Sequence, residues 1–108
     1  MNILAWNGSP RKTGNTARLI ASFAKGAEEA GHKVTIEQIA GQNIRGCLAC
    51  EYCHDREKGV CIQRDDMQDL YPKIMDADML VLASPIYYYI MTGQMISALN
   101  RTYAWVHR

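Results

Sequence analysis

The segment Gly8-Ser9-Pro10-Arg11-Lys12-Thr13-Gly14-Asn15-Thr16 follows the apolar run Ile3-Leu4-Ala5-Trp6 and leads into an amphipathic helical pattern. In that setting glycine and hydroxyl residues let successive backbone N–H groups turn toward one point. The helix that follows adds roughly half a positive charge at its N-terminus. Arg11 and Lys12 set full charges beside it. The chemistry is anion binding, in the form of a phosphate cradle. It is not the G-x4-G-K-[ST] nucleotide loop, because five residues separate Gly8 from Gly14 and Asn15 stands where the lysine would be. There is no G-x-G-x-x-G either, which argues against a dinucleotide fingerprint as the primary site. The plain alternative is a Gly/Pro loop that only caps a helix.

Cys47, Cys50, Cys53 and Cys61 form C-x2-C-x2-C-x7-C, between Gly46 and Asp65-Asp66. Four thiolates in a short loop can surround a tetrahedral zinc or an iron–sulfur cube, since both want soft anionic ligands. Spacing alone does not choose between them, and His54 is a conceivable substitute ligand for zinc. A cysteine-bearing loop with no metal is the third reading. A third chemistry-bearing stretch is Ser84-Pro85-Ile86-Tyr87-Tyr88-Tyr89-Ile90-Met91. Consecutive tyrosines after a strand can present flat rings to a planar ligand, with the backbone N–H and C=O groups between them available to its edge. The alternative is that these rings merely cover the end of a sheet.

These segments need elements to position them. Residues 2–6 read as a buried strand. Residues 15–30 read as a helix with Leu19 or Ile20, Phe23, Ala24, Ala27 and Ala30 on one face, stopped by Gly31. From Lys33 to Ile39 the pattern alternates, with Val34 and Ile36 facing one way, as for an edge strand. A cysteine-rich loop spans about 41–64. Asp65 or Asp66 caps a second helix carrying Met67, Leu70, Tyr71, Ile74 and Met75, which Pro72 is expected to kink or interrupt. Met79–Ala83 is the clearest buried strand, and a last helix begins near Met91 to Gly93 and runs through Ile96, Leu99 and Tyr103.

Strands alternating with helices predict a parallel sheet with right-handed crossovers, and ligands bind at the carboxyl ends of such strands. Both the phosphate loop and the tyrosine loop lie there. With three strands, the most hydrophobic one, 79–83, falls at an edge, and an uncovered edge of that kind invites another chain. A homo-oligomer, or continuation of the chain, is therefore expected.

The 108 residues are read as one domain, residues 1–108, with 48% apolar residues, enough for a modest core. Twelve basic residues against eleven acidic ones leave a net charge of +1, with no excess to drive binding to nucleic acid. No stretch reaches the apolar length of a membrane span and no secretion signal is visible, so a cytoplasmic location without membrane contact is expected. Clustered cysteines then point to metal or redox chemistry before disulfides. His32 and His107 read as surface residues, and Trp6 and Trp105 as core or interface residues. No Ser/His/Asp or paired-carboxylate arrangement is recognisable, so no catalytic residue is assigned.

Taken together, Gly8-Ser9-Pro10-Arg11, Gly14-Asn15-Thr16, Asp65-Asp66-Met67, Ser84-Pro85-Ile86-Tyr87 and Asn100-Arg101-Thr102-Tyr103 resemble the NADPH-dependent FMN reductase-like branch of the flavodoxin superfamily. The resemblance implies an α/β, flavodoxin-like open parallel sheet with helices on both faces, strands 2-1-3 being present in this chain. It implies that Ser9, Arg11, Lys12, Gly14, Asn15 and Thr16 hold the FMN phosphate and that Pro85, Ile86, Tyr87 and Tyr88 line the ring. It also implies two further strand and helix units after the third helix, including a third flavin loop, which these residues do not contain. The activity implied is an FMN-dependent oxidoreductase taking electrons from NAD(P)H to a flavin, quinone or small acceptor. The cysteine spacing is similar to that of iron–sulfur flavoproteins, a branch in which Cys47, Cys50, Cys53 and Cys61 would hold a [4Fe-4S] cluster and the protein would act as an electron carrier. A third reading is a non-catalytic fragment that binds metal or dimerises.

Overall fold

Asn2–Asn7 (β1) occupies the middle of a three-stranded parallel sheet because it carries apolar side chains to both faces. Leu4 and Trp6 enter the main core with Ile39, Met67, Leu70, Met95 and Ala98, and alternation sends Ile3 and Ala5 to the opposite face. Lys33–Gln38 (β2) and Met79–Ala83 (β3) flank it, giving the order β2-β1-β3. The register sets Ala5 beside Ile36 on one side and Val81 on the other. The strand order is the one expected. The computed structural model describes residues 1–55, 57 and 59–105; His107 lies outside them.

Asn15–Glu29 (α1) covers the Ile3/Ala5 face. Its buried residues are Thr16, Ile20 and Ala24, a four-residue spacing that keeps one narrow stripe inward. Of Leu19 or Ile20 it is Ile20 that is buried, Leu19 being 71% exposed; Phe23, at 40%, and Ala30, the C-cap residue, lie outside the buried face on which they were expected. Gly31, at φ +92°, ends the helix in the left-handed conformation that glycine adopts without strain.

Met67–Asp76 (α2) and Gly93–Arg101 (α3) cover the other face. The interruption expected at Pro72 does not occur: α2 is one helix through it. The proline nitrogen only withdraws the donor that would have bonded the Gln68 carbonyl, on an exposed side. Lys73 pairs with Glu37 and ties α2 to β2. Asp66 makes no side-chain cap; the first amide of α2, that of Met67, is taken by Asp65 Oδ1 at 3.1 Å. At the N-terminus of α3 the Thr92 hydroxyl accepts from the Met95 amide at 3.2 Å. Beyond α3 the chain tightens into a 3₁₀ turn, Thr102–Trp105, so Tyr103 falls just outside the helix expected to contain it.

Among the described residues β3 pairs with β1 alone, and Leu80 to Ala83 are only half-buried. The most apolar strand does lie at an open edge. No described helix is long and apolar enough to cross a membrane.

Candidate functional site

The carboxyl ends of β1, β2 and β3 release the phosphate loop, the cysteine loop and the tyrosine loop respectively, so the topology gathers all three at one edge of the sheet. The phosphate loop is built by its own side chains. Asn7 Oδ1 accepts from the Ser9 amide at 2.9 Å and Ser9 Oγ accepts from the Arg11 amide at 3.1 Å. Gln38 Nε2 donates to the Ser9 carbonyl at 2.7 Å. Ser9 and Thr16 are buried, whereas Arg11, Lys12 and Asn15 are exposed. Gly14 is the N-cap of α1 and supplies no side-chain cap, which leaves the amides of the first turn without a side-chain acceptor. A Cβ on Gly14 would stand 3.2 Å from Arg11 Cβ and 3.6 Å from its Cδ, so the aliphatic stem of Arg11 runs beside the helix start. An open concavity of about 480 Å³, lined by Lys12, Gln38, Ala40, Gly41 and Gln42, adjoins this loop. A second hollow, about 400 Å³, lies by Asn2, Lys33 and Asp76, at the amino edge of the sheet and away from all three loops.

Two bonds lock the first and third loops together. The Gly8 amide donates to the Ala83 carbonyl at 2.8 Å and the Thr92 hydroxyl to the Gly8 carbonyl at 2.7 Å. The Ser84 hydroxyl in turn accepts from the Thr92 amide at 3.0 Å.

Tyr87 and Ile90 exchange backbone bonds of 2.8 and 3.1 Å, which makes Tyr88-Tyr89 the tip of a two-residue turn. Both tip residues have positive φ, +51° and +67°, the geometry of a type I′ turn that asparagine and glycine ordinarily fill. The rings of Tyr88 and Tyr89 are fully in solvent, at 96% and 101% exposure, and Ile86 is also exposed. They do not cover the sheet end. Of the backbone groups between the tyrosines, expected to be free for a ligand, the Tyr87 C=O is used within the turn. A left-handed non-glycine residue costs roughly 1–2 kcal/mol. Tyr89→Gly is therefore expected to raise stability by about 1 kcal/mol in urea unfolding, and a loss of stability would show that the tyrosine ring holds the turn.

The cysteine loop is closed at its base. Asn43 N–H donates to Asp66 Oδ2 at 2.6 Å, the Asp66 amide to the Asn43 carbonyl at 3.0 Å, and Gln63 Nε2 to the Gly46 carbonyl at 2.9 Å. Residues 43–46 and 63–66 thus run side by side, and Cys47 and Cys61 leave from the same base. Ala49 and Glu51 adopt left-handed backbone, φ +55° and +63°, to turn the chain between the thiols. The Ala49 amide points at Cys47 Sγ, 3.4 Å away. His54 is held elsewhere: its Nε2 lies 2.9 Å from the Tyr103 carbonyl and its ring stands over that of Tyr103. The Tyr103 hydroxyl bonds Glu51, and that bond raises its pKa.

All four thiols are free. Burial, with Cys61 and Cys47 nearby, pushes the Cys53 thiol up. Among the described residues no three His, Cys, Asp or Glu side chains converge as a single-ion site requires. The donor set itself suits a polynuclear centre with one thiolate per metal.

Beneath the loop base lies a buried ion pair. Arg101 Nη1 donates to Asp65 Oδ2 at 2.6 Å and to the Arg45 carbonyl at 3.0 Å, with both charged side chains essentially inaccessible. Burial alone would raise the Asp65 carboxyl, but Arg101 and the amides of Arg45 and Met67 outweigh it and hold the group below the usual carboxylate range. Tyr71 donates to the Arg101 carbonyl at 2.9 Å; burial, with Cys61 beside it, pushes its phenol up to about 12.

Sequence reasoning missed Asn7, Gln38 and Thr92 as the residues that shape the phosphate loop, and Asp65 and Arg101 as a pair. Asn7 before Gly8 carried a local signal, since such asparagines bond the backbone two residues on. Thr92 before Gly93 carried another, as an N-cap type. Gln38 and Arg101 reach across 29 and 36 residues and left no local signal.

The family model described as NADPH-dependent FMN reductase matches residues 1–108. An iron-sulfur flavoprotein of Archaeoglobus fulgidus is 38% identical over 101 residues, 94% of this chain and 45% of its own length. One from Methanosarcina thermophila is 30% identical over 102 residues, 94% of this chain and 50% of its own. The chain spans about half the length of the curated relatives it matches. The crystal structure of RosB with bound 8-demethyl-8-formylriboflavin-5'-phosphate aligns with a TM-score of 0.69 at 24% identity, covering 89% of this chain and 40% of that one. That likeness carries the fold, which is flavodoxin-like.

Proposed function

The chain belongs to the NADPH-dependent FMN reductase family, and we propose that it is the FMN-binding part of an oxidoreductase that passes electrons from NAD(P)H to a flavin, quinone or small acceptor. One observation carries the reading. The uncapped first turn of α1, with the stem of Arg11 beside Gly14, is bonded through Gly8 and Thr92 to a loop that thrusts aromatic rings into solvent. An anion site fixed beside an aromatic wall suits a phosphorylated planar cofactor.

Bound FMN supplies the redox chemistry, so no acid–base residue of the chain is required. Ser9, Arg11, Lys12, Gly14, Asn15 and Thr16 hold its phosphate, through first-turn amides and the two cations. Ser9 Oγ already accepts from Arg11, and its own proton remains to donate. Pro85, Ile86, Tyr87 and Tyr88 form the apolar and aromatic side of the ring site. Thr92 and Met95 keep the two loops in register.

Arg11→Ala and Thr16→Ala are each expected to weaken FMN binding about tenfold or more, the cost of one charge-assisted contact. Fluorescence titration with FMN measures it, and unchanged affinity in both variants would remove the phosphate assignment. Failure of the wild-type chain to take up FMN at micromolar concentration would instead favour the non-catalytic fragment.

A second reading, an iron–sulfur flavoprotein with a [4Fe-4S] cluster on Cys47, Cys50, Cys53 and Cys61, is favoured by four free thiols in one closed loop and the Ala49 amide aimed at Cys47. The relatives named iron-sulfur flavoproteins support it. A visible spectrum of anaerobically purified protein, with a broad band that dithionite bleaches, would establish the cluster, and its loss in Cys47→Ser the ligand. The open edge of β3 supports association with a further strand, from a second copy in a homo-oligomer or from continuation of the chain; light scattering on the same preparation distinguishes the two. Four unpaired thiols fit a reducing compartment, and we place the protein in the cytoplasm, which cell fractionation checks.

A further inference from the structure

Arg101 is buried at the end of α3, with its side chain 1% exposed, and only one of its three nitrogens is used. Nη1 serves Asp65 and Arg45, while Nε and Nη2 have no partner among the described residues. Nε and Nη2 form the side-on edge of the guanidinium, which ordinarily receives an anion with two parallel bonds. Asp65 cannot supply it, because Asp65 Oδ2 is bonded to Arg101 Nη1 and the Arg45 amide, and Oδ1 to the Met67 amide. Buried donors on a permanent cation are rarely left empty in native proteins. Tyr71 turns its hydroxyl to the Arg101 carbonyl, the Arg45 guanidinium is outside and exposed, and the Arg45 carbonyl that Nη1 holds lies two residues before Cys47.

We infer that Arg101 is a positioning residue for the thiol loop: its Nη1 fastens the two ends of the loop base, and its free Nε/Nη2 edge is the buried counter-charge to a thiolate-ligated centre on the loop that this base closes. The inference rests on the iron–sulfur reading above and deepens it. A fixed positive charge out of contact with water acts at nearly full strength on a neighbouring anion. It favours whichever state of the centre is more negative, and a one-electron reduction makes the centre more negative by one charge. Arg101 therefore raises the reduction potential, and Asp65, by neutralising part of Arg101, moderates it.

The test is anaerobic reconstitution of the full chain with iron and sulfide, followed by potentiometric titration of wild type, Arg101→Gln, Arg101→Lys and Asp65→Asn, with iron and sulfide content measured for each. Arg101→Gln is expected to shift the reduced-to-oxidised ratio at a given potential about tenfold toward oxidised, or ~59 mV for one electron. Asp65→Asn is expected to shift it the opposite way, and Arg101→Lys, which keeps the charge, to restore much of the wild-type potential. Opposite signs from two neutralisations in one buried pair do not arise from loosened packing. Wild-type metal content with unshifted potentials, or both shifts in one direction, would reduce Arg101 to a fastener and leave the cluster reading standing. No uptake of iron or sulfide by wild type would overturn the cluster reading, and the inference with it. If Arg101→Gln does not fold, the sign of the Asp65→Asn shift decides alone: a lower or unchanged potential overturns the inference.

Discussion

Asp65→Ala is expected to lower the unfolding free energy by about 3–5 kcal/mol, the cost of stranding one partner of a buried ion pair. The reason lies in Arg101. Its side chain is buried and cannot shed its proton, so removal of Asp65 leaves a cation without its counter-charge beneath the base of the cysteine loop. The same change removes the acceptor for the Arg45 amide and the first amide of α2. Urea unfolding at pH 7 followed by circular dichroism measures the loss. A cost below about 1 kcal/mol would class the pair with surface salt bridges. The double variant Asp65→Ala/Arg101→Met is expected to recover part of the loss, because it removes the stranded charge as well.

The pair also sets an acid limit. The folded chain holds the Asp65 carboxyl below its usual range, so its contribution is complete above the unfolded value near pH 4 and drains away as pH falls through the folded value. Wild type should lose stability below about pH 4 more steeply than Asp65→Asn, which has no proton to gain there. Parallel acid profiles would contradict the assignment.

Met95→Ala is the second large effect, about 2–5 kcal/mol of stability, as for other fully buried methionines cut to alanine. Met95 is 0% exposed and packs with Leu4, Trp6 and Leu70 in the main core. It also lies directly under the phosphate loop: a Cβ on Gly8 would stand 2.9 Å from both Met95 Cβ and Cε. Removing the thioether therefore loosens Gly8 and its bond to Thr92, and FMN affinity should fall with stability, tenfold for roughly each 1.4 kcal/mol the loop loses. Met95→Leu, nearly equal in volume, should cost under about 1.5 kcal/mol and keep affinity. If Met95→Ala lost stability with unchanged affinity, the core and the phosphate loop would be uncoupled.

Both effects come from α3. Its N-terminus, through Thr92 and Met95, fixes the phosphate loop to the tyrosine loop; its C-terminus, through Arg101, fixes the base of the cysteine loop. The helix was legible in the sequence, and its role as the strut among three loops was not. The hydrogen bond from Thr92 to Gly8 spans 84 residues and that from Arg101 to Arg45 spans 56. Local pattern reports a turn or a cap, and carries no information on which distant backbone group will be there to receive it.

The same division holds for the faces of α1. A helical period near 3.6 identifies an apolar side but tolerates neighbouring choices, and the sheet selected Ile20 and Ala24 while leaving Leu19 and Phe23 outside. Three consecutive tyrosines after a strand announced an aromatic loop; their left-handed backbone follows from the two-residue span between Tyr87 and Ile90, which only the closed turn imposes. What the amino-acid sequence determined by itself was the alternation of strands and helices, the parallel sheet that this alternation requires, the glycine-bearing loop at residues 8–16 and the spacing of four thiols. These are matters of side-chain period and short-range backbone geometry, in which neighbours in sequence supply the physics. What tertiary structure decided was where charge is buried and which loops are joined, because desolvation of Arg101 and the meeting of Gly8 with Thr92 exist only once the helices have packed on the sheet.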